Sequence, residues 1–288
     1  MARRHAERFC AAAVLLLAAC GGTSPEPPPP ITIGLVTSLP VYWPEQASLS
    51  ELVERERVAP WPRQVIEQHH RLVPLDTLAP REGLAALDLL ILAQPRPLSP
   101  PENVALDDWV RDGGQAVMFA DPALTLESRF PLGDPRRPQD VALLSPILSR
   151  WGLVLQFAGD QPEGERLVDV AGLGPFPVNL PGRFAPAPQG AGMAGDSCRI
   201  EAEGLVARCR IGRGRVLAIA DAALFEEHDG GPGRVRQQAL EALIGGFARR
   251  TAGIGRDERG RAAAPGRTGQ TERPEPPDGE ALSPPESG

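Results

Sequence analysis

The chain has 288 residues, a formal net charge of −7 and 30 basic residues that are all arginine. That length allows one sizeable core. The acidic balance argues against nucleic acid as a partner, and with only four cysteines the fold cannot rest on a dense disulfide framework.

Arg3, Arg4 and Arg8 precede an apolar stretch, residues 9–19, of signal-peptide length and too short to span a bilayer. It ends in Leu17-Ala18-Ala19-Cys20-Gly21. This resembles the bacterial lipobox, in which small residues permit cleavage and the cysteine thiol accepts a lipid. The resemblance implies a signal peptide over 1–19 and lipidated Cys20 as the new N-terminus. It also implies a periplasm-facing anchor, with Gly21 favouring the outer membrane. The alternative is an ordinary secretory signal with an incidental Cys20. Residues 20–30 are proline-rich and read as an extended spacer. The folded region is expected over 31–250, followed by a disordered tail, 251–288, with no apolar stripe.

Within 31–250 the first buried strand is expected at Ile31–Val36, ending at Thr37-Ser38-Leu39-Pro40. A helix is expected over Ser48–Arg57, another over Arg63–His69, then a strand near Leu72–Leu75. The clearest unit follows. Leu87, Leu89, Leu90, Ile91, Leu92 and Ala93 form a short apolar run of the kind buried on both faces of a parallel sheet. Ser99, Pro100, Pro101 and Glu102 form a helix start: a capping hydroxyl, prolines that need no amide hydrogen, and an acid returning to the cap. Gly113-Gly114 ends that helix, and a second apolar run, Ala116–Ala120, stops at Asp121-Pro122. The unit is strand–helix–strand, which predicts an α/β fold: a mostly parallel sheet flanked by helices, amidotransferase-like or flavodoxin-like.

The same residues resemble a known family. Asp88 to Pro95, Pro97-Leu98-Ser99, Ala105-Leu106-Asp107, Val110, Gly113-Gly114 and Asp121-Pro122 match the pattern of GldG-like auxiliary proteins of uncharacterised ABC-type transport systems. The resemblance implies a class I glutamine amidotransferase-like sheet without that class's chemistry. It also implies a permease–ATPase complex, or another envelope protein, as partner.

Further on, helical spacing over Gln139–Trp151 runs through Val141, Leu144, Ile147, Leu148 and Trp151, with Gly152 as cap and a strand at Leu153–Phe157. Residues 159–195 are dense in Gly and Pro and read as irregular structure with short edge strands. A β-hairpin is expected across Cys198–Cys209, turning at Glu203-Gly204. That register pairs 202 with 205, and so Cys198 with Cys209. Directly opposed Cα atoms lie about 4.5–5.5 Å apart, within reach of a disulfide; two unpaired thiols are the alternative. A strand, Val216–Ala220, then ends at Asp221, and a last helix runs from Val235 to Phe247.

Parallel α/β sheets bind ligands outside the carboxyl ends of their strands. The residues expected there are Thr37, Ser38, Tyr42, Trp43, Asp121 and Asp221, as a ligand or partner surface. Tyr42-Trp43 reads either as a lid over the core or as a recognition surface. Asp121, Asp221 and His228 could supply general-base or hard-metal chemistry, which would make the chain an envelope hydrolase. Asp before Pro more commonly bonds its own turn. Neither cysteine of the hairpin sits at a strand-to-helix elbow, and Gly212-Arg213-Gly214 lacks the lysine of a phosphate loop and precedes a strand. The expectation is therefore a non-enzymatic lipoprotein without metal or cofactor, accessory to a transporter. A hydrolase and a lipid-tethered scaffold are the other two readings.

Overall fold

The structure is a computed structural model and describes residues 29–45, 59–188, 195–226 and 233–253, with side chains of the last helix followed to Arg249. The expected signal peptide, Cys20, the Ser48–Arg57 helix, His228 and the C-terminal tail lie outside the described residues.

Strands β1 (Thr32–Thr37), β2 (Arg71–Pro74), β3 (Leu89–Ala93), β4 (Gln115–Phe119), β9 (Ser197–Glu201), β10 (Val206–Ile211) and β11 (Gly214–Ile219) form one seven-stranded sheet in the order β2-β1-β3-β4-β11-β10-β9. The first five in that order are parallel; β10 and β9 add an antiparallel hairpin at one edge. The fold is α/β with a mostly parallel sheet flanked by helices. Alternation along each strand feeds two cores. Leu89, Ile91 and Ala93 face α1 (Trp61–Glu67) and α4 (Gly233–Gly253), whereas Leu90 and Leu92 face α2 (Pro100–Arg111) and α3 (Ser145–Arg150). All five residues of β3 are buried, the signature of a strand covered on both faces.

The α2 helix starts and stops for local reasons. Ser99 N–H and Oγ both meet Glu102 Oε2, at 2.9 and 2.8 Å, closing the capping box. At the other end Gly113, at φ 115, lets its own N–H reach Val110 C=O and that of Gly114 reach Trp109 C=O. Trp109 and Trp151 are both buried in the α2–α3 core.

The helix expected over Gln139–Trp151 is shorter: only α3, Ser145–Arg150, is helical. Pro146 sits in its first turn, where no N–H is needed; a helix continuing upstream would require an N–H from residue 146 to the Ala142 carbonyl, which proline lacks and its ring would clash with. Val141, assigned to the apolar face, is half exposed as a result. The Gly/Pro-rich stretch folds into β6 (Arg166–Val170) and β7 (Gly174–Val178), a hairpin, and β8 (Arg183–Pro186), which pairs with β5 (Leu153–Gln156). These two small sheets cover opposite faces of the large one: Phe176 and Val178 in one core, Leu153 and Phe184 in the other.

In the β9–β10 hairpin the ladder closes at Glu201↔Val206 and not at 202–205. The connection is a 3-10 turn in which Ala202, Glu203 and Gly204 all have positive φ. The register is the expected one, and Cys198 and Cys209 form a disulfide at a Cα–Cα distance of 4.0 Å. The bridge closes a short loop, with a sequence separation of 11. Replacing both cysteines by alanine is expected to cost about 3 kcal/mol through loop-closure entropy and lower the unfolding midpoint by roughly 6–12 °C. Thermal unfolding of the wild type with and without reductant checks the same shift without mutation.

Candidate functional site at the carboxyl ends of the strands

The residues nominated along these strand ends fall into two groups. Thr37 Oγ1 donates to Ala93 C=O at 2.8 Å and accepts Leu39 N–H at 2.9 Å. Ser38 Oγ donates to Gln94 C=O and accepts Gln139 N–H at 3.0 Å. Both hydroxyls tie the end of β1 to the end of β3, and Ser38 also holds the long loop after β4.

Asp121 and Asp221 follow neighbouring parallel strands whose register pairs Ile219 with Phe119, so the two carboxylates arrive side by side. Each is 0% exposed. Asp121 Oδ1 accepts Ala123 N–H at 2.8 Å and Oδ2 accepts Ala222 N–H at 3.0 Å. Asp221 Oδ1 accepts Ala223 N–H at 2.6 Å and Oδ2 accepts Asn179 N–H at 2.8 Å. All four oxygens thus hold loop backbone. Asp121 and Asp221, expected on a ligand or partner surface at the strand ends, are both buried, and the loops they fasten are what buries them.

Burial dominates their titration. It pushes the Asp121 carboxyl up to about 6, against the lowering effect of its two backbone donors, and the charge of Glu226 adds to the rise. Asp221 is raised well above the carboxylate range by burial and then by the charge of Asp121. Glu226 is itself only 5% exposed and accepts from Thr125 Oγ1. Among the described residues no group of three His, Cys, Asp or Glu is arranged to hold a metal ion.

Gln94 organises this end of the sheet. It is fully buried, with a positive φ of 44. Its Oε1 accepts Asp121 N–H at 2.9 Å, and Nε2 donates to Asp121 C=O at 2.9 Å and Gln139 C=O at 2.8 Å. The side chain thereby continues the β3–β4 ladder one step beyond the strands.

No family model matches the chain, and no curated protein does. The likenesses to solved structures are distant. A ThuA-like protein from Bacteroides uniformis is 12% identical over 77% of this chain and 93% of its own, with a TM-score of 0.40. A GMP synthase subunit from Thermoplasma acidophilum is 12% identical over 78% of this chain and 96% of its own, with a TM-score of 0.41. An exo-β-1,4-mannosidase from an Opitutaceae bacterium is 15% identical over 78% of this chain, at a TM-score of 0.38, and the chain spans only 36% of its length.

Tyr42 and Trp43 form the outward-facing group. Trp43 is 55% exposed and meets Tyr42 edge-on at 4.8 Å between ring centroids. The Arg63 guanidinium lies 4.1 Å from the Tyr42 ring centroid and 5.4 Å from that of Trp43. Both oxygens of Glu67, one helical turn on, accept from Arg63 Nε at 3.0 Å and hold it there. Tyr42 packs on the α1–α4 core while half-buried, and Trp43 is exposed beside it. Arg63 was not nominated from sequence; its signal is the Arg-to-Glu spacing of four, which fixes its direction but not its aromatic neighbours. Glu226 carried no local signal at all.

Proposed function

We propose that the chain is a lipid-tethered, non-catalytic accessory or binding subunit of an ABC-type transport system in the bacterial envelope, with Tyr42, Trp43 and Arg63 on its partner-binding face. The observation that carries this reading is the division of labour at the strand ends. The carboxylates that would perform chemistry are each bonded to loop amides, while past the end of β1, two strands from β4, an exposed Trp43 is grouped with the half-buried Tyr42 and Arg63. Trp, Tyr and Arg are the residues that dominate binding energy at protein interfaces. The pattern from Asp88 to Asp121-Pro122 supports the transporter context, and Leu17-Ala18-Ala19-Cys20 supports the lipid tether.

The test is in-cell crosslinking of the full chain, detergent extraction and mass spectrometry, run beside Trp43→Ala and Cys20→Ser. The expected result is recovery of a permease with its ATPase, reduced at least about tenfold by Trp43→Ala, in line with the 2 kcal/mol or more of a hot-spot aromatic. Cys20→Ser is expected to move the protein from the membrane to the soluble fraction. Recovery of the protein alone, while a known membrane complex survives the same extraction, overturns the partner reading. A Cys20→Ser variant that stays membrane-bound overturns the tether.

A further inference from the structure

Arginines gather where β9, β10 and β11 run past the α1–α4 core. Val206, Leu217 and Ile219 of these strands are buried in that core. Alternation puts Arg199, Arg208, Arg210 and Arg215 on the same face, nearer the β10–β11 turn. The three strands carry a single carboxylate, Glu201, which Arg199 and Arg208 share at 2.8 and 3.0 Å. The acids beside the turn are engaged as well: Asp196 accepts from Arg111 at 2.8 Å, and Asp112 accepts from Arg81 and Arg213. Among the described residues neither Arg210 nor Arg215 has a side-chain hydrogen bond or ion pair. Yet the two stand directly opposite each other in the ladder. Arg215 N–H turns away to Gly114 C=O at 3.1 Å, on the β4 side. The two therefore form a non-hydrogen-bonded pair, the kind whose Cα atoms lie about 4.5 Å apart. Like charges so placed destabilise a sheet, and an anion lying over both removes the repulsion. Arg210 is exposed and Arg215 half-buried, on a chain whose formal net charge is −7.

The pair lies at the end of the sheet where β1 begins. Ile33 pairs with Leu89, Leu90 with Ala116 and Gln115 with Arg215, so Arg215 stands level with Ile33. β11 is three strands along from β1, about 15 Å at the usual strand spacing. Residues 20–31, which would join a lipidated Cys20 to β1, span up to about 35 Å as an extended proline-rich chain. We propose that Arg210 and Arg215, flanked by Arg199, dock on the phosphate groups of anionic phospholipids in the bilayer that holds the tether. The choice of lipid phosphate over free phosphate rests on the tether reading; the anion chemistry of the pair does not. Docking turns the amino ends of the parallel strands toward the bilayer. It leaves Tyr42 and Trp43, past the carboxyl end of β1, on the side that faces away from it.

The test is sedimentation of the chain from Gly21 onward, which carries no lipid and contains every described element, with vesicles of phosphatidylcholine alone or mixed with phosphatidylglycerol. The expected result is binding to the mixed vesicles only, weakened at least about tenfold by Arg210→Gln with Arg215→Gln, and weakened likewise by high salt. Arg210→Lys with Arg215→Lys keeps both charges and is expected to retain binding within about threefold. The glutamine pair relieves a like-charge contact, so its unfolding midpoint is expected at or above that of the wild type. Arg210→Glu, at the exposed position of the pair, reads the same loss of binding in a second variant. Equal binding to both kinds of vesicle overturns the docking, and so does a glutamine pair that binds as tightly as the wild type. A midpoint raised by inorganic phosphate, without vesicle binding, overturns it too and marks a free-phosphate site. The tested chain has no lipid anchor, so none of these outcomes depends on how Cys20→Ser fractionates.

Discussion

Gly214→Ala is expected to destabilise the fold by about 3–4 kcal/mol and lower the thermal midpoint by about 10 °C. A Cβ at Gly214 would stand 1.9 Å from Val110 O and 2.5 Å from Gly114 O, both backbone atoms that no rotamer change can move. The reason for the contact is the seat of the β10–β11 turn under the end of α2. Arg213 N–H reaches Arg111 C=O at 2.9 Å, a carbonyl that the helix end leaves open, and Arg215 N–H reaches Gly114 C=O at 3.1 Å just ahead of β4. The Gly212-Arg213-Gly214 motif is therefore a packing device. Gly246→Ala is the matched control. It lies within α4 with nothing inside 4 Å of its added Cβ, and helix propensity predicts a gain of about 0.5–1 kcal/mol. Denaturant unfolding of the two variants with unchanged m-values checks both signs; a Gly214→Ala midpoint equal to the wild type would mean that the turn does not sit on α2.

The parts of the fold legible in the sequence are those whose signals are local. The β3–α2–β4 unit has its apolar runs, its Ser99–Glu102 box and its Gly113-Gly114 stop within one continuous stretch. The β9–β10 register is legible for a related reason: an antiparallel ladder keeps its pairing even when the turn differs, so the left-handed turn at Ala202–Gly204 left Cys198 opposite Cys209. The helix expected upstream of Ser145 shows the limit of periodicity. Val141, Leu144, Ile147 and Leu148 fit one face, and Pro146 outweighs them. β7, reading Gly-Pro-Phe-Pro-Val, exists because β6 and the large sheet hold it, not through strand propensity.

The strand-end aspartates were legible in place but not in environment. Sequence puts Asp121 and Asp221 at the ends of two apolar runs. Whether they face solvent depends on Asn179 and Ala222 arriving from 42 and 101 positions away. The same distance hides Gln94. In the sequence it is one polar residue after an apolar run; in the structure it is the side chain on which β3, β4 and the loop to Gln139 converge.

Gln94 accordingly gives the other large expected effect. Gln94→Leu preserves volume but strands Asp121 N–H and C=O in the interior and leaves the part-buried Gln139 C=O without its amide donor. At about 1–3 kcal/mol for each buried group left unsatisfied, with partial relaxation, the cost is expected to be about 3–5 kcal/mol. Gln94→Glu separates hydrogen bonding from packing. One oxygen can still accept Asp121 N–H, but the other replaces a donor facing two carbonyl oxygens and adds a charge near Asp121 and Asp221. Burial, those carbonyls and those carboxylates all favour the protonated acid, so its pKa rises in the fold. Stability is then fullest below the ordinary carboxylate range and falls as pH rises through the elevated value. Urea unfolding is therefore expected to find Gln94→Glu less destabilised at pH 5 than at pH 8, and Gln94→Leu equally destabilised at both. Equal losses for Gln94→Glu at the two pH values would mean that the amide nitrogen is not what holds the ends of β3 and β4 together. The tie would then lie in the backbone alone, and the loop reaching Gln139 would be free to move without the sheet.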